Sequence, residues 1–284
     1  WGNFINKQSI TGLLVRSATQ VKKELIDACP SIKLIGRGGV GMDNIDVDYA
    51  KRKGIHVINT PNASSASVAE LVFTHLFGIA RHVYHSNRTM PLEGDFNFKK
   101  LKKTYSQGIE LKGKKIGIIG FGRIGQEVAK IALGIGMEVL FYDPYIKTKN
   151  ISITFYNKKT IDFKLKKIDL INLLKKSNII TIHVPKQEKP LITKKEIQCI
   201  KKGSYIINTS RGGVVDEKAL ITALNTEHIK SAGMDVFENE PNPNMSLLMH
   251  EKISLSPHIG ASTLEAQERI GIDLANQINN LLNG

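Results

Sequence analysis

The chain has 284 residues, 41% of them hydrophobic, and a formal net charge of +14. Its length suits one large domain or two ordinary ones. The sequence contains no apolar run of about 18 residues and no visible signal peptide, so we expect no membrane span. The positive charge comes mainly from scattered lysines, since only eight of the 40 basic residues are arginines. No nucleic-acid-binding motif accompanies them, so we expect no nucleic-acid partner.

The two cysteines, Cys29 and Cys199, lie far apart and match no metal-binding spacing. We therefore expect no metal, reduced thiols and a cytoplasmic location. The sequence starts at Trp1 rather than methionine, and we expect a fragment or a processed product.

Short β-rich runs alternate with helical patterns, which is typical of βαβ units and a parallel sheet. In the first part, the pattern predicts strands over 12–15, 33–36 and 55–58, helices near 20–28 and 47–52, and a long helix from about Ser67 to Arg81 that opens with a Ser67/Glu70 capping box. A second series predicts strands over 115–120, 138–143, 179–184, 204–209, 232–237 and 253–257, with helices over 216–225 and from a Ser262/Glu265 capping box to Leu282.

Two segments break this rhythm. Residues 87–114 are polar, contain Pro and Gly and lack a clear period, so we interpret them as a connection between domains or an arm toward a partner. The lysine-rich segment over 147–176 is interpreted as a solvated face.

Three glycines follow the apolar run over 116–119 and open a helical pattern. This G-x-G-x-x-G after a strand predicts a dinucleotide site. Gly120 would permit the tight turn, Gly122 would let a pyrophosphate approach the amides of Arg123 and Ile124, and Gly125 would let helix and strand pack closely.

An acidic residue, Asp143, ends the next predicted strand. A carboxylate at this place can accept hydrogen bonds from both ribose hydroxyls of adenosine and repels a 2′-phosphate. We therefore expect NAD rather than NADP.

Polar residues end three later strands: Arg211, Asp235 with Glu240 beyond it, and His258. Hydride transfer to a ketone needs a proton donor such as histidine, a carboxylate beside it, and a cation to polarise the carbonyl. This set predicts chemistry on a 2-oxo acid and 2-hydroxy acid pair. His183 also ends a strand, and we expect it to line the cofactor site through packing rather than to transfer protons.

Arginine placement is informative in a chain that uses lysine for surface charge. Its planar fork suits carboxylates and phosphates. Five arginines stand beside Gly, Ser or Asn in loop-like contexts: Arg16, Arg37, Arg88, Arg123 and Arg211.

Together these motifs resemble the D-isomer-specific 2-hydroxyacid dehydrogenase family over nearly the whole chain. The most specific stretches are LIGRGGVGMDNID, GIIGFGRIGQ, NTSRGGVVDE, GMDVFENEP and SPHIGASTLEAQERIG. The resemblance implies two doubly wound parallel-sheet α/β domains. They are a flavodoxin-like substrate domain over 1–87 and 262–284, missing its first βα units, and a Rossmann-type dinucleotide-binding domain over 88–261.

The resemblance also implies roles for individual residues. The catalytic trio would be Arg211, Glu240 and His258. NAD would contact Gly120, Gly122, Arg123, Ile124, Gly125, Asp143, His183, Val184, Pro185, Thr209, Ser210, Asp235, Gly260 and Ala261. The substrate acid would contact Arg16, Ser17, Arg37, Gly38, Gly39 and Val40.

The implied activity is NAD-dependent oxidation of 3-phospho-D-glycerate to 3-phosphooxypyruvate, the first step of serine biosynthesis, by a homodimer without a regulatory module. The basic residue that would bind the substrate phosphate stays open, because GDFNFKKLKKTY departs from the family pattern. The alternatives are a glyoxylate or hydroxypyruvate reductase, another D-2-hydroxyacid dehydrogenase, or an NAD-sensing binding protein.

Overall fold

The structure is a computed structural model that describes residues 2–283. The chain divides into two compact units: one comprises the residues through Ser67 together with those from Ala261 onward, and the other is Val68–Gly260. Each unit is an α/β structure around a parallel sheet, which confirms the predicted fold class.

The first unit is built from short alternating elements. They are α1 (Gly2–Lys7), β1 (Gly12–Val15), α2 (Lys23–Ala28), β2 (Leu34–Arg37), α3 (Val47–Arg52) and β3 (His56–Asn59). The strands form a parallel sheet in the order β1-β2-β3, so the three predicted strands are confirmed to within one residue. Its core includes the buried Ile26, Ile35 and Ile55, which fix the helices on the sheet by burying apolar surface.

A long helix and two shorter ones follow in the chain: α4 (Ser65–Ala80), α5 (Val83–Glu93) and α6 (Phe98–Thr104). The predicted capping box of α4 is wrong. The helix already begins at Ser65, and the Ser67 hydroxyl lies 2.8 Å from that of Thr263 instead of capping.

The remaining elements complete the second unit and return to the first. They are β4 (Lys115–Ile119), α7 (Arg123–Gly134), β5 (Glu138–Tyr142), β6 (Thr148–Thr154), β7 (Thr160–Lys166), α8 (Leu170–Lys176), β8 (Ile179–Ile182), α9 (Lys194–Cys199), β9 (Ser204–Asn208), α10 (Glu217–Asn225), β10 (Ile229–Met234), α11 (Met245–Leu248), β11 (Ile253–Leu255) and α12 (Leu264–Asn283). The cap of α12 is Thr263, which accepts the Ala266 N–H at 3.1 Å, so the prediction of Ser262 is wrong.

The large sheet of the second unit has the order β11-β10-β9-β8-β4-β5, all parallel. The chain leaves β4 toward β5 on one side and resumes with β8 on the other. The carboxyl ends of β4 and β8 therefore form the switch point at which ligands bind in open α/β sheets.

Helix α4 explains why the boundary between the units lies at 67/68 rather than at the predicted residue 87. Its buried Val72, Phe73 and Leu76 belong to the same core cluster as Ile118 and Ile207 of the large sheet. Residues 68–87 therefore fold with the second unit.

The two segments without a recognised pattern are structured. In α5, Pro91 lies inside the helix and no side chain is buried, so the segment has no apolar period to detect. In the lysine-rich segment, β6 and β7 form an antiparallel hairpin with Ile151 buried beneath it. Among residues 2–283, no helix combines the length and the apolar character needed to cross a membrane.

Candidate active site

All six strands of the large sheet lead into predicted site residues at their carboxyl ends. In spatial order, these are His258 after β11, Asp235 and Glu240 after β10, Thr209 to Arg211 after β9, His183 after β8, the glycine loop after β4 and Asp143 after β5. Parallel strands end at the same edge of a sheet, which is why residues distant in sequence lie along one edge.

The three glycines after β4 have different steric requirements. Gly120 has φ +88°, and a Cβ there would collide with the carbonyl oxygen of His183. A Cβ at Gly125 would collide with the Gly120 carbonyl oxygen, so α7 can approach β4 only with glycine there. At Gly122, a Cβ would meet no described atom within 4 Å. The fold itself does not require glycine at 122, which leaves room for a ligand against the backbone at the start of α7.

Asp143 is buried and accepts three backbone hydrogen bonds. Its Oδ2 accepts the Phe121 N–H at 2.8 Å, and its Oδ1 accepts the N–H groups of Tyr145 at 2.8 Å and Ile146 at 3.0 Å. The carboxylate therefore shapes the glycine loop as well as the turn after β5. An ionised carboxylate has about four acceptor positions, so one on Oδ2 remains for a ribose hydroxyl.

Two buried polar atoms near the switch point lack a hydrogen-bond partner among the described residues: Nδ1 of His183 and Oγ1 of Thr209. The other nitrogen of His183, Nε2, lies 2.8 Å from the Thr181 hydroxyl. Burial lowers the pKa of His183 from 6.5 to about 3, so the imidazole is neutral at physiological pH. Next to it, Val184 is half-buried and Pro185 is exposed. Buried polar atoms without partners are costly unless a ligand satisfies them.

The loop after β9 is held by Asn208, a buried residue that the sequence analysis did not single out. Its Oδ1 accepts from the backbone N–H of Ser210 at 3.1 Å and from the hydroxyl at 2.7 Å, and its Nδ2 donates to the Arg211 carbonyl at 3.1 Å. Arg211 in turn donates from Nη1 to the Ser210 carbonyl at 2.7 Å. The available signal was a polar residue directly after the apolar pair Ile206 and Ile207 at the end of the strand.

Glu240 and His258, two of the predicted catalytic residues, are in direct contact. Nδ1 of His258 lies 2.7 Å from Oε2 of Glu240, while Oε1 of Glu240 accepts the Phe237 N–H at 2.9 Å. Glycine at 212 is needed beside this loop, because a Cβ would collide with the Phe237 carbonyl oxygen.

Three groups keep Glu240 ionised. Partial burial alone would raise the pKa of this carboxyl, but hydrogen bonds from His258 and the Phe237 N–H, together with the attraction of His258 and Arg211, outweigh burial and lower it. Arg211 therefore acts electrostatically on the same carboxylate that contacts His258. The structure thus brings the predicted trio together at the ends of three neighbouring strands.

Asp235 is almost fully buried and organises the loop around His258. Its Oδ1 accepts the Ser256 hydroxyl at 2.6 Å and the Ile259 N–H at 2.8 Å, and its Oδ2 accepts the Gly260 N–H at 2.9 Å. His258 between them has φ +54°, which is uncommon for a residue with a side chain. The contacts made by Asp235 therefore fix a strained backbone.

Ala261, the last of the predicted cofactor contacts, belongs to the first unit, where its carbonyl oxygen accepts from Gln267 Nε2 at 2.8 Å. In that unit the predicted substrate residues lie in two loops. Arg16 and Ser17 are exposed after β1, and the buried Asn44 holds this loop through the Arg16 carbonyl at 2.9 Å. The importance of Asn44 was not recognised from sequence.

The second loop contains Gly38 to Val40 and follows Arg37, the last residue of β2. The amides of Gly38 and Gly39 already donate, at 2.9 Å each, to the carbonyl oxygens of Val15 and Arg37. The predicted contact of Gly38, Gly39 and Val40 with a substrate carboxylate stays a prediction, and these two hydrogen bonds show that the Gly38 and Gly39 amides also shape the loop. Arg37 donates from Nη1 to the Gly38 carbonyl at 2.7 Å, so it also supports its own loop.

The site fits a dinucleotide. The open space at Gly122, the remaining acceptor position of Asp143 and the unpartnered Nδ1 of His183 lie on the strand ends around the switch point. No group of three or more His, Cys, Asp or Glu residues within 2–283 could hold a metal ion.

Comparison with known proteins agrees with this geometry. Residues 73–260 match the family described as D-isomer specific 2-hydroxyacid dehydrogenase, NAD binding domain. The chain is 44% identical to a hydroxypyruvate reductase of Thermotoga maritima, covering 94% of this chain and 83% of the relative. It is 42% identical to a D-3-phosphoglycerate dehydrogenase of Methanocaldococcus jannaschii, covering 96% of this chain but only 50% of that relative. Among solved structures, D-lactate dehydrogenase of Aquifex aeolicus, complexed with NAD and lactic acid, is 30% identical with a TM-score of 0.80 over 100% of this chain and 86% of that chain.

Proposed function

Since the chain belongs to the D-isomer-specific 2-hydroxyacid dehydrogenase family, we propose that it oxidises 3-phospho-D-glycerate to 3-phosphooxypyruvate with NAD, the first step of serine biosynthesis. The observation that supports this reaction class is the contact of 2.7 Å between His258 and Glu240. The Glu240 carboxylate is also attracted electrostatically by Arg211. A dinucleotide site and an oriented imidazole beside it are two parts that a hydroxy-acid dehydrogenase needs.

The proposed roles follow from this contact. The Nδ1–H of His258 donates to Glu240, so Nε2 is the nitrogen that accepts the proton of the substrate hydroxyl during oxidation. The positive charge that then forms on the imidazole is stabilised by the ionised Glu240. Arg211 binds the substrate carboxylate and stabilises the carbonyl oxygen as it forms.

NAD supplies the hydride acceptor of the reaction when it is bound. We propose that the amides of Arg123 and Ile124 bind its pyrophosphate, that Asp143 binds its adenosine ribose, and that Asp235 and the strand ends at His183 and Thr209 line its nicotinamide half. The first turn of a helix offers N–H groups without intrahelical partners, which suits a pyrophosphate at Gly122.

The choice of substrate rests on the first unit. Arg16 is exposed, and among the described residues its guanidinium has no hydrogen-bond or ion-pair partner, so it is available for an anion. Arg37 is the last residue of the neighbouring strand β2. A substrate with a single carboxylate does not require both Arg16 and Arg37. A substrate that carries a carboxylate and a phosphate dianion would use both.

A second candidate, hydroxypyruvate reduction, is favoured by the Thermotoga maritima relative, which carries that name and is matched over most of its length. It uses the same trio on an unphosphorylated 2-oxo acid. An NAD-sensing binding protein is disfavoured by the oriented His258–Glu240 pair, because a sensor needs no proton donor.

Steady-state reduction by NADH separates these candidates. Phosphooxypyruvate should exceed hydroxypyruvate in kcat/KM by at least about 100-fold, equivalent to about 2.7 kcal/mol. Comparable values would favour the reductase, and no turnover of either 2-oxo acid would favour a sensor.

A matched pair of variants tests the phosphate contact. Arg16→Ala should lower kcat/KM for phosphooxypyruvate about tenfold more than for hydroxypyruvate, because a charge-assisted contact is worth about 1.5–3 kcal/mol. Arg52→Ala is the control, since Arg52 lies over the Tyr49 ring in α3 of the same unit. Equal losses on both substrates would make Arg16 a loop residue only.

We also propose a homodimer. Large apolar side chains are exposed in and beside α5 and α6: Leu92 is 74% exposed, Phe96 70% and Phe98 56%. Such a patch supports a protein contact, and sedimentation of the purified chain should show a dimer that Phe96→Lys weakens. The free thiols of Cys29 and Cys199 agree with the cytoplasm as the proposed location.

A further inference from the structure

A buried polar path connects helix α4 to the loop of His258. In α4, His75 is 4% exposed, and its Nδ1 and Nε2 lie 2.9 Å from the hydroxyls of Ser254 and Ser256, respectively. Ser256 donates to Asp235 at 2.6 Å.

The protons of this path can be assigned by elimination. The Ser256 hydroxyl has one proton and gives it to Asp235, so its oxygen must accept from Nε2 of His75. Burial lowers the pKa of His75, against a weaker opposing attraction from Asp235, so the ring carries only this one proton near neutral pH. Nδ1 is then an acceptor for the Ser254 hydroxyl.

The path ends at the two amides that follow His258. Asp235 accepts the N–H groups of Ile259 and Gly260 at 2.8 and 2.9 Å. His258 itself has φ +54°, a strained conformation that persists only when its surroundings enforce it. The orientation of the Asp235 carboxylate therefore affects where the imidazole of His258 lies.

Packing fixes His75 in this position. A Cβ at Gly233 would lie 2.8 Å from the His75 Cβ and 2.9 Å from the Ile207 Cδ1. Gly233 is also the residue paired with Ser254 between β10 and β11. Because Gly233 has no side chain, α4 packs closely on the sheet at this place. The His75 imidazole can therefore contact both Ser254 and Ser256.

We infer that His75 is a positioning residue for proton transfer: protonated on Nε2, it directs the Ser256 hydroxyl onto Asp235, which holds His258 toward Glu240. The inference rests on the proposed function, because it assigns His258 the proton transfer. It concerns this chain's own side chains and requires no particular 2-oxo acid.

Four substitutions distinguish a positioning role of His75 from a role in packing alone. His75→Gln can place an amide donor near the position of Nε2, whereas His75→Asn reaches only the position of Nδ1. Ser256→Ala interrupts the path, and Ser254→Ala makes the same change on the other side of the ring.

We expect His75→Asn and Ser256→Ala to lower kcat at least 10-fold with KM for NADH within twofold. His75→Gln and Ser254→Ala should keep kcat within threefold of the unsubstituted protein. A purely structural His75 would instead give losses that follow the melting temperature across all four variants, and that pattern would overturn the inference.

Nitrogen-15 NMR of histidine-labelled protein provides a readout independent of turnover. The His75 signals, identified by their loss in His75→Gln, should report a neutral ring with the proton on Nε2 between about pH 6 and 8. The Ile259 and Gly260 amide signals should shift in Ser256→Ala but not in Ser254→Ala. A proton on Nδ1, or unshifted amides in Ser256→Ala, would refute the inference even if no 2-oxo acid is turned over; failed turnover with the expected spectra would refute only the proposed function.

Discussion

Nδ1 of His258 lies 2.7 Å from Oε2 of Glu240, on side chains that are 41% and 34% exposed. The pair is thus open to a ligand while one imidazole nitrogen is engaged. The carboxylate fixes the ring orientation and leaves Nε2 for proton exchange, which is the arrangement a general acid and base requires.

Removing the charge of Glu240 should move the pH dependence. Because its pKa is lowered, Glu240 stays ionised until the pH falls below the usual carboxyl range, so it does not titrate in a neutral assay. Glu240→Gln keeps an acceptor for His258 but removes the charge that favours the imidazolium. Ketone reduction consumes the imidazolium proton, so its kcat/KM profile should move to lower pH.

The measurement is kcat/KM for reduction across the pH range, with Glu238→Gln as the control. Glu238 is an exposed carboxylate on the same loop, and its substitution should leave the profile in place. An unchanged Glu240→Gln profile, or one displaced to higher pH, would contradict the pairing.

The glycine loop allows fold and cofactor binding to be separated. Gly125→Ala should destabilise the protein by about 1–3 kcal/mol, because its Cβ would collide with the Gly120 carbonyl oxygen. Gly122→Ala should change stability by no more than about 0.5 kcal/mol, because its Cβ has open space and its φ of −69° suits alanine.

The same Gly122→Ala variant should bind NADH at least about tenfold more weakly, equivalent to about 1.4 kcal/mol, if the pyrophosphate lies against this backbone. Fluorescence titration with NADH and thermal unfolding measure the two effects. Unchanged NADH affinity in Gly122→Ala would place the cofactor elsewhere.

Much of this arrangement could be predicted from sequence because parallel strands are buried on both faces. Their apolar runs stop abruptly, so Asp143, Arg211 and His258 stand out as polar residues at strand ends. Adjacent strands then bring the later residues together without any knowledge of side-chain positions.

The β6–β7 hairpin and the contacts of His75 were not predicted, because no abrupt change from apolar to polar residues marks them in the sequence. The β6–β7 hairpin alternates lysines with a few apolar residues, and burying Ile151 and Leu165 against the core needs no strong pattern. His75 lies on an apolar helix face, where sequence cannot tell a packed ring from one that contacts two serines. Its partners become visible only when α4 is placed on β11.

Asp143 should prove to be both a structural and a cofactor-binding residue. Asp143→Ala removes the acceptor of three N–H groups, so unfolding should become easier by about 1–3 kcal/mol. The affinity for NADH should fall. The ratio of the NADH affinity to the NADPH affinity should also decrease, since no carboxylate then repels a 2′-phosphate.

Paired titrations with NADH and NADPH, beside urea unfolding, distinguish these effects. Asp162→Ala is the control, because the exposed Asp162 accepts from the Ser152 hydroxyl on the hairpin, away from the glycine loop. If Asp143→Ala loses stability but keeps the ratio of the two affinities, the carboxylate is only a structural acceptor.

His183 should make the stability of the protein sensitive to acid. Its pKa is lowered by burial from 6.5 to about 3, so between these values the unfolded chain binds a proton that the folded chain does not. Stability therefore rises with pH over this interval and is lost as the pH falls below about 6.5.

His183→Gln keeps a polar partner for the Thr181 hydroxyl and removes this proton, so urea unfolding should show a smaller loss of stability between about pH 7 and pH 5. The difference from the unsubstituted protein should reach up to about 2 kcal/mol, because one pKa unit corresponds to about 1.4 kcal/mol. His56→Gln, at an exposed position in β3, should keep the original dependence. Parallel pH dependences for the unsubstituted protein and His183→Gln would mean that His183 is protonated equally in the folded and unfolded chains, and the imidazole would then not be the neutral group that the site requires.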